Sequence, residues 1–171
     1  MSNSNGVISQ LKYITFRTDM GWIGILSSAQ GLVRTTLPCS SAEEAHQKLG
    51  ETNAIFSPDP FEDLVQRLRT YFSGHKANFP DKLDLSGASA FQRQVWEITR
   101  LISYGKTRSY RWVAKETGKP DAARAVGQAL ARNQLPIIVP CHRVITSSGQ
   151  LGGFSGGIGM KKVLLHLEGI R

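Results

Sequence analysis

Residues 109–132 read SYRWVAKETGKPDAARAVGQALAR, and this stretch decides the fold of the C-terminal half. The pattern predicts a helix of about eight residues from Ser109, a tight turn at Gly118-Lys119-Pro120, and a second helix from near Asp121 to the end of the stretch. A glycine in the turn between two such helices is typical of a helix-turn-helix unit. Many helical pairs share this spacing, so the stretch by itself leaves DNA binding and ordinary helix packing both open.

The second helix of the pair is rich in small side chains. They occupy six positions: Ala122, Ala123, Ala125, Gly127, Ala129 and Ala131. Such a helix can bring its backbone close to another surface, with Arg124 projecting alone, or it can pack tightly inside the core. The two interpretations can both hold, on different faces of the helix.

A candidate nucleophile follows this pair. Residues 137–139 form a short apolar run that predicts a buried strand, which Pro140 must end or kink because proline has no N–H to donate. Cys141 comes next. A free thiol is mostly protonated at neutral pH, so a nucleophilic cysteine needs a base, and His142 is adjacent. Neighbouring side chains on a strand point to opposite faces, so a turn or a water molecule must link the two.

A third group should orient the imidazole. The C-terminal helix, which begins near Gly159, offers Glu168 at its end. His166 is a competing candidate that we rank lower, because it lies beside an apolar stripe of the same helix. The glycine-rich run at residues 147–157 either lets the backbone approach a planar ligand or is an ordinary loop.

The sequence gives no sign of a bound cofactor or metal. It lacks both the phosphate-binding loop and the dinucleotide fingerprint. His46, His75 and Cys39 are too widely scattered to predict a zinc site. Both cysteines, Cys39 and Cys141, are interpreted as free thiols.

The N-terminal half predicts a small sheet followed by two helices. Apolar stretches at residues 7–16, 22–26 and 32–37, separated by short turns, indicate three antiparallel strands. A capping box at residues 41–44 begins a short helix, and Asp59-Pro60 begins a second one that ends at Gly74. The second helix carries a predicted core stripe: Phe61, Leu64, Val65, Leu68 and Phe72.

A further helix begins at Ser89, with Gln92 as its capping partner, and is predicted to end at Gly105. Its apolar face comprises Phe91, Val95, Trp96, Ile98 and Ile102. Polar turns precede it, so we place a domain boundary there. The prediction is an α/β protein with an N-terminal structural domain at residues 1–86 and a DNA-binding and active-site domain at residues 87–171.

Charge distinguishes the two halves. The formal net charge is +8, and residues 91–171 carry 13 basic and 4 acidic side chains against 8 and 9 in residues 1–90. This favours a polyanionic partner for the second half, with a basic solubilising surface as the alternative. The first ten residues lack a secretory signal and no stretch approaches the ~20 apolar residues of a membrane span. A soluble, cytoplasmic protein without a membrane partner is expected.

The segment Pro140-Cys141-His142-Arg143-Val144 resembles the active-site motif of the O6-alkylguanine-DNA alkyltransferases, also called methylated-DNA–protein-cysteine methyltransferases. The resemblance covers about residues 91–169, including the AARAVG, SSG and SGG segments at 122–127, 147–149 and 155–157. The first 85 or so residues match only in their pattern of strands and helices. The resemblance implies a ribonuclease-H-like N-terminal domain with a three-stranded sheet and a mainly helical, winged-helix-like C-terminal domain.

The resemblance also implies a chemistry. Cys141 would take the alkyl group from guanine O6 in a displacement reaction, irreversibly, once and without a cofactor. His142 would deprotonate it through a bridging water, and Glu168 would hold His142. Tyr110 would donate a hydrogen bond or a proton to the departing guanine and lie against a phosphate, while Arg143 would be structural.

Substrate contacts follow from the same resemblance. Ser155 would contact O6, and the carbonyls of Cys141 and Val144 would accept from the guanine amino group. Asn133 is similar to a hinge that ties the second helix to the active-site turn. The alkyl pocket would be lined by Pro136, Phe154 and Gly156. Some members carry tyrosine where this chain has Phe154, which leaves the range of alkyl groups open, O4-alkylthymine included.

Double-stranded DNA is the implied partner, bound by a monomer in the minor groove with little sequence specificity and marked salt sensitivity. The damaged base must rotate out of the duplex, and Arg124 would take its place. Backbone approach to the groove would use Ala123, Ala125 and Gly127.

Three other functions compete with this one. A non-catalytic relative that only binds alkylated DNA would lack the acceptor cysteine, so Cys141 argues against it. A helix-turn-helix regulator would leave residues 140–144 and Glu168 without a purpose. A thiol hydrolase that uses Cys141, His142 and Glu168 would turn over many substrate molecules, whereas a suicide alkyltransferase would not.

Overall fold

The computed structural model describes residues 10–50 and 53–171. The three predicted antiparallel strands are confirmed as β1 (Lys12–Thr18), β2 (Gly21–Ser28) and β3 (Gly31–Thr35). A short β4 (Ile55–Phe56), which the sequence pattern missed, pairs parallel to β1 and makes the sheet mixed, in the order β3-β2-β1-β4. The predicted start of the first strand, at residues 7–9, lies outside the described residues.

Two helices follow the first three strands, as predicted. Helix α1 (Ala42–Leu49) begins at Ser41, whose hydroxyl accepts from the N–H of Glu44, but the carboxylate of Glu44 turns to Ser40 instead of completing the expected box. Helix α2 (Glu62–Phe72) follows a single 3-10 turn, Asp59–Phe61. Its predicted apolar stripe is buried, and α2 packs against β1.

Helix α3 (Ala90–Arg100) begins with the complete capping box that the sequence predicted, from Ser89 and Gln92. The predicted end at Gly105 is wrong, because the helix stops at Arg100. The N–H groups of Leu101 and Ile102 instead donate to carbonyls three residues back, which is the pattern of a 3-10 turn. Gly105, with φ 74°, belongs to a separate turn. The chain thereby bends before it enters the helix-turn-helix unit.

The helix-turn-helix prediction is confirmed. Helix α4 (Tyr110–Glu116) is capped by the hydroxyl of Ser109, Gly118 adopts φ 80° in the turn, and α5 (Ala123–Ala131) follows. Just before α4, strand β5 (Arg108–Ser109) pairs parallel with β6 (Val144–Ile145). This pairing places the start of α4 beside the residues that follow Cys141.

The predicted buried strand at residues 137–139 is wrong. Ile137 has φ 73°, and the N–H of Val139 donates back to Leu135 O at 2.8 Å, so the segment is a tight turn. Burial is correct, but an apolar run cannot by itself distinguish a strand from another buried segment. The Asn133 side chain, which donates to Val139 O at 3.0 Å, supplies a bond that a strand partner would have made.

Helix α6 (Ile158–Leu167) closes the fold and ends at Glu168, as predicted. One cluster of buried apolar side chains extends through both halves of the chain, with members on β1, α2, α3, α5 and α6. The second half is therefore packed directly on the first. No helix of the described residues is long and apolar enough to cross a membrane.

Candidate active site

Cys141 lies at the start of a single 3-10 turn, Cys141–Arg143. Its N–H donates to Val139 O at 2.8 Å, and the N–H of Arg143 donates to Pro140 O at 2.9 Å. Because the backbone turns here, neighbouring side chains are not restricted to opposite faces of a strand. All three side chains of the turn are buried, so the thiol is presented from the interior and not from a flexible loop.

Cys141 opens onto a cleft of about 550 Å3 and is itself only 5% exposed. Helix α5 forms one wall of the cleft, and the loop at residues 153–155 forms another. The predicted site residues that line it with Cys141 are Tyr110, Ala123, Arg124, Gly127, Phe154 and Ser155. The others were not predicted as site residues: Gln128, Leu130, Ala131 and Gly153.

The remaining predicted contact residues do not line this cleft. Ala125 is exposed on α5, and Gly156 is exposed just past the loop. Pro136 is half-buried, and its carbonyl accepts from the hydroxyl of Thr35 at 3.0 Å. Val144 is fully buried behind the reactive turn. Any contact of these four with a substrate stays a prediction.

Asn133 connects α5 to the thiol. Its N–H donates to Leu130 O at the end of the helix, and its Oδ1 accepts from the N–H of Leu135 at 2.9 Å. Its Nδ2 donates to Val139 O at 3.0 Å and to Cys141 Sγ at 3.2 Å. One buried side chain thus fixes the distance between the helix-turn-helix unit and the sulfur.

His142 is buried behind the sulfur and engages Glu168, with Nε2 2.6 Å from Oε1. An ionised carboxylate only accepts, so Nε2 carries the proton and Nδ1 holds the lone pair. In the part of the chain that the structure describes, Nδ1 is the only buried side-chain nitrogen or oxygen without a hydrogen-bond partner. Burial lowers the pKa of His142 and outweighs the raising effect of Glu168, so the imidazole is a neutral acceptor. The competing His166 is exposed.

Glu168 is the centre of a buried polar network. Arg143 donates to both carboxylate oxygens over 2.9–3.1 Å, the N–H of Gly105 donates to Oε2 at 3.0 Å, and the hydroxyl of Tyr71 donates to Oε1 at 2.8 Å. Burial acts to raise the pKa of Glu168, but the hydrogen bonds from His142 and Arg143 outweigh it and lower the pKa to about 2. The carboxylate therefore stays ionised and holds the imidazole in one tautomer.

The thiol experiences opposing effects. Burial raises the pKa of Cys141, whereas the hydrogen bond from Asn133 and the positive charge of Lys161 lower it. Burial wins, so the resting sulfur is a thiol that needs a base. His142, adjacent in the chain and with an unpartnered Nδ1, stays the predicted base.

Tyr110 stands at the mouth of the cleft. A Cβ on Gly127 would touch its ring at 3.8 Å, and a Cβ on Gly152, whose φ is +71°, would come within 2.7 Å of its hydroxyl oxygen. Glycine is thus required at Gly152 both for its conformation and for the close approach of Tyr110. Burial, and the negative charge that Cys141 carries as a thiolate, raise the pKa of Tyr110, which keeps the hydroxyl a neutral donor.

Sequence reasoning missed two buried side chains at this site, Tyr71 and Lys161. Tyr71 extends the apolar stripe of α2, where a hydroxyl signals a buried partner. Lys161 lies on the same face of α6 as Leu164 and Glu168, a position where an apolar residue is the usual choice. Both signals are visible in the sequence, but neither indicates which residue the buried polar group contacts.

Cys39, the second free thiol, is not part of this cleft. It is buried, its backbone pairs with that of Trp22, and its Sγ–H donates to Leu37 O at 3.2 Å. Within residues 10–50 and 53–171, no group of three or more His, Cys, Asp or Glu side chains is arranged to hold a metal ion.

A buried cysteine, backed by a histidine and a carboxylate, opens beside the second helix of a helix-turn-helix unit. This arrangement is that of a DNA-binding protein that reacts through a thiol. Comparison with known proteins identifies the family. Residues 90–170 match the family described as "6-O-methylguanine DNA methyltransferase, DNA binding domain". The methylated-DNA–protein-cysteine methyltransferase of Mycolicibacterium paratuberculosis is 43% identical over 156 residues, which cover 91% of this chain and 92% of that protein. The chain belongs to the methylated-DNA–protein-cysteine methyltransferase family.

Solved structures agree with this assignment. The crystal structure of Mycobacterium tuberculosis OGT in complex with DNA matches with a TM-score of 0.78 and 39% identity and covers 92% of each chain. The O6-methylguanine-DNA methyltransferase of Pyrococcus kodakaraensis matches with a TM-score of 0.66 and 26% identity, over 94% of this chain and all of the other. The α/β architecture, a mixed four-stranded sheet with six helices among the described residues, is therefore that of known alkyltransferases.

Proposed function

We propose that this protein repairs DNA by transferring a methyl or other alkyl group directly from O6-alkylguanine to Cys141. One observation carries the proposal: the sulfur is the reactive group of a cleft walled by α5, and a buried histidine and carboxylate stand behind it. This combination serves a displacement on a base and has no use in a DNA-binding regulator. Membership of the family supports the same activity.

The thiol must first lose its proton. His142 is neutral, its Nε2–H is donated to Glu168, and its Nδ1 has no other partner among the described residues. Buried polar atoms of this kind are normally satisfied by protein or by ordered water. A water between Sγ and Nδ1 therefore relays the proton, while Asn133 donates to the sulfur and supports the thiolate.

The displacement then exchanges one bond for another. The sulfur electron pair forms the S–C bond, the C–O6 bond breaks, and its electron pair remains on the guanine. Tyr110, held as a neutral donor, supplies a hydrogen bond or a proton, and an unmodified guanine is left in the DNA. Among the described residues, the cleft offers no group that would cleave the C–S bond of the product thioether, so each molecule acts once.

Recognition of the base falls to the cleft and its surroundings. Ser155 contacts O6, and the carbonyls of Cys141 and Val144 accept from the guanine amino group. The alkyl group lies against Phe154, with Pro136 and Gly156 completing the pocket. O4-alkylthymine is a second substrate to be tested in the same pocket.

DNA binds with α5 in the minor groove. Arg124 and Gln128 are exposed, and Ala123, Ala125 and Gly127 offer little side-chain bulk, so the helix backbone can approach the groove floor. A damaged base reaches a buried sulfur only by leaving the duplex, which costs a few kcal/mol of stacking and pairing. Arg124 fills the space it leaves, and phosphate contacts make binding salt-sensitive and weakly sequence-specific.

The finer description of the fold belongs to the same proposal. A ribonuclease-H-like domain at residues 1–86 and a winged-helix-like domain at residues 87–171 agree with the sheet order and with the β5–β6 pair that flanks the helix-turn-helix unit. Arg143 is the structural cation of the site. We propose a monomer that needs no cofactor and works in the cytoplasm on chromosomal DNA.

Titration of duplex DNA tests the reaction. A fixed amount of protein is mixed with increasing amounts of an O6-methylguanine duplex, and the restored guanine is counted. A suicide transferase restores at most one lesion per protein molecule, and Cys141→Ala restores none while still binding DNA. Continued repair beyond one equivalent would contradict the single-turnover reaction, and turnover of a peptide or ester would instead indicate a thiol hydrolase.

A further inference from the structure

The loop at residues 153–155, one wall of the cleft, is in contact with the N-terminal half of the chain. A Cβ built on Gly156 would overlap Leu37 Cδ1 and come within 3.0 Å of Phe154 Cε1, so both side chains approach the same point beside the Gly156 backbone. Phe154 lines the cleft with Cys141, whereas Leu37 does not. Leu37 therefore approaches the Phe154 ring from outside the cleft.

Leu37 is held in place by the sheet. Just before it, the N–H of Thr36 donates to Gly24 O at 3.0 Å, and the N–H of Gly24 donates to Thr36 Oγ1 at 2.9 Å. Just after it, the backbones of Cys39 and Trp22 exchange two hydrogen bonds of 2.7 and 2.8 Å. Leu37 thus lies between two attachments to β2, and its side chain is packed against the core.

The Phe154 ring is held differently. The backbone of its loop is fixed at Gly153, whose carbonyl accepts from Lys161 Nζ at 3.2 Å, and by a turn in which the N–H of Gly157 donates to Phe154 O at 2.9 Å. The ring itself has no hydrogen-bonding group, so packing alone decides how far it projects into the cleft. Its half-buried position depends on the side chain that supports it from outside.

We propose that Leu37 sets the size limit of the alkyl pocket, because it holds the Phe154 ring in the wall of the cleft beside Cys141. The inference rests on the proposed function, since it names a residue that selects among the substrates of the same site. Leu37 acts through Phe154 and touches no reacting atom, so it is a positioning residue.

The physical effect is one of space. Replacing a packed leucine by alanine leaves a void into which the neighbouring ring can move. A methyl group needs little of that space, whereas a benzyl group reaches the sulfur more easily when the wall can yield. A difference of one methylene in a hydrophobic pocket changes discrimination between substrates by about tenfold or more. The choice between alkyl groups is therefore a sharper readout than the rate of methyl transfer.

The first test compares Leu37→Ala with Leu83→Ala, which removes another half-buried leucine that packs against the same core and pairs with the backbone of Leu32. Single-turnover transfer is measured on duplexes of one sequence that carry either O6-methylguanine or O6-benzylguanine. The benzyl-to-methyl ratio of rates cancels any loss of folded protein or of DNA affinity. Leu37→Ala should raise this ratio by about tenfold, and Leu83→Ala should leave it unchanged. Equal ratios in the two variants would overturn the proposal.

The second test uses the contact at Gly156. Its φ is not positive, so alanine fits the backbone, but the added methyl group meets Leu37 and Phe154. Gly156→Ala should push the ring toward the cleft and lower the benzyl-to-methyl ratio several-fold. Adding Leu37→Ala should restore most of the ratio, because the two substitutions act on one contact. A Gly156→Ala effect that Leu37→Ala does not relieve would also overturn the proposal.

A third measurement separates this inference from the proposed function, because it needs no DNA. Iodoacetamide and its bulkier N-benzyl derivative are each reacted with the variants, and the modified Cys141 peptide is quantified by mass spectrometry. Leu37→Ala should favour the bulky reagent relative to Leu83→Ala. If this shift occurs but no protein takes an alkyl group from DNA, the proposed function fails while the role of Leu37 stands. Normal alkyl transfer with unchanged ratios for both reagents and both lesions would overturn only the role of Leu37.

Discussion

At the residue scale, the properties of Cys141 come from its neighbours more than from the cysteine itself. Burial raises the pKa of the thiol, and Asn133 and Lys161 act against it. The base is a histidine that is kept neutral by burial and oriented by a carboxylate that is kept ionised by its donors. These partners come from outside the reactive turn, so the arrangement exists only in the folded chain.

Glu168 gives a prediction about acid stability. Its pKa is lowered to about 2 in the folded state, from 4.5 in a free carboxyl group. A depressed pKa adds stability that is present above the unfolded value and is lost as pH falls toward the folded value, here between about pH 5 and pH 2. The loss should amount to roughly 3 kcal/mol of unfolding free energy.

Urea unfolding at a series of pH values measures this loss. Glu168→Gln should be less stable at pH 7, because Arg143 loses its buried partner, and it should lack the acid-dependent step. His166→Gln, a substitution of an exposed residue on the same helix, should retain the step. If Glu168→Gln retained the full step, another carboxylate would be responsible.

The sequence predicted the residues of this site better than their geometry. Cys141, His142 and Glu168 were identified from the motif and from helix ends. A turn after Pro140 was one of the two predicted ways to link the thiol and the imidazole, but the tight turn at residues 135–139 was not predicted, because the apolar run there looks like a strand. Ile137, with its left-handed backbone, shows no signal that a sequence pattern could reveal.

At the element scale, the helix-turn-helix unit has two tasks. Helix α5 contributes Val126 and Ala129 to the core and leaves Arg124 and Gln128 exposed. The core-packing interpretation of the small residues is therefore confirmed on one face, and close approach of the exposed face to another surface stays a prediction. Its end is tied by Asn133 to the sulfur, so the helix that we propose to meet DNA also sets the depth of the pocket.

Arg124 gives the prediction for this element. Arg124→Ala should slow repair of O6-methylguanine in duplex DNA by about tenfold or more, because no side chain then fills the space that the flipped base leaves in the duplex. Transfer from free O6-benzylguanine, which needs no base flipping, should be unchanged. Single-turnover rates on both substrates measure the difference.

Arg132 provides the matched control, because it is exposed at the end of the same helix and does not line the cleft. Arg132→Ala should weaken duplex repair only slightly, through general electrostatics. Equal slowing of both substrates by Arg124→Ala would show that the arginine shapes the pocket instead of replacing the base.

Helix boundaries followed the local chemistry of the sequence, and failures occurred where tertiary contacts decide. Ser89 and Ser109 cap their helices as expected. Strand β4 was missed because two residues are too short to show a pattern, and it exists only through its pairing with β1.

At the scale of the whole molecule, the N-terminal half contributes directly to the active site. Tyr71 of α2 is fully buried, donates to Glu168 and lies 3.3 Å from His142 Nε2. Leu37, which follows β3, packs so closely on the loop beside the cleft that a Cβ on Gly156 would overlap it. Neither contact could be predicted, since nothing in the sequence tells which residues of the first half face the second.

Tyr71 gives the prediction for this contact. Tyr71→Phe removes one hydroxyl and should destabilise the fold by about 1 kcal/mol and slow transfer several-fold, because the carboxylate loses a donor and the imidazole is less firmly oriented. Thermal unfolding and single-turnover repair measure the two effects.

Tyr104, whose ring packs against that of Tyr71, provides the control. Its hydroxyl donates to the backbone carbonyl of Leu167 and not to Glu168 or His142. Tyr104→Phe should cost similar stability without slowing transfer. A Tyr71→Phe protein that repairs DNA at the original rate would restrict the N-terminal half to a structural role.

The identity of the alkyl acceptor is the central claim, and peptide mass spectrometry tests it most directly. After incubation with an O6-methylguanine duplex, the tryptic peptide of residues 133–143, which contains Cys141, should gain the mass of one methyl group, and the lesion should disappear from the DNA in equal amount. An unmodified peptide with the lesion still in place, or a methyl group found on the peptide that contains Cys39, would contradict the account.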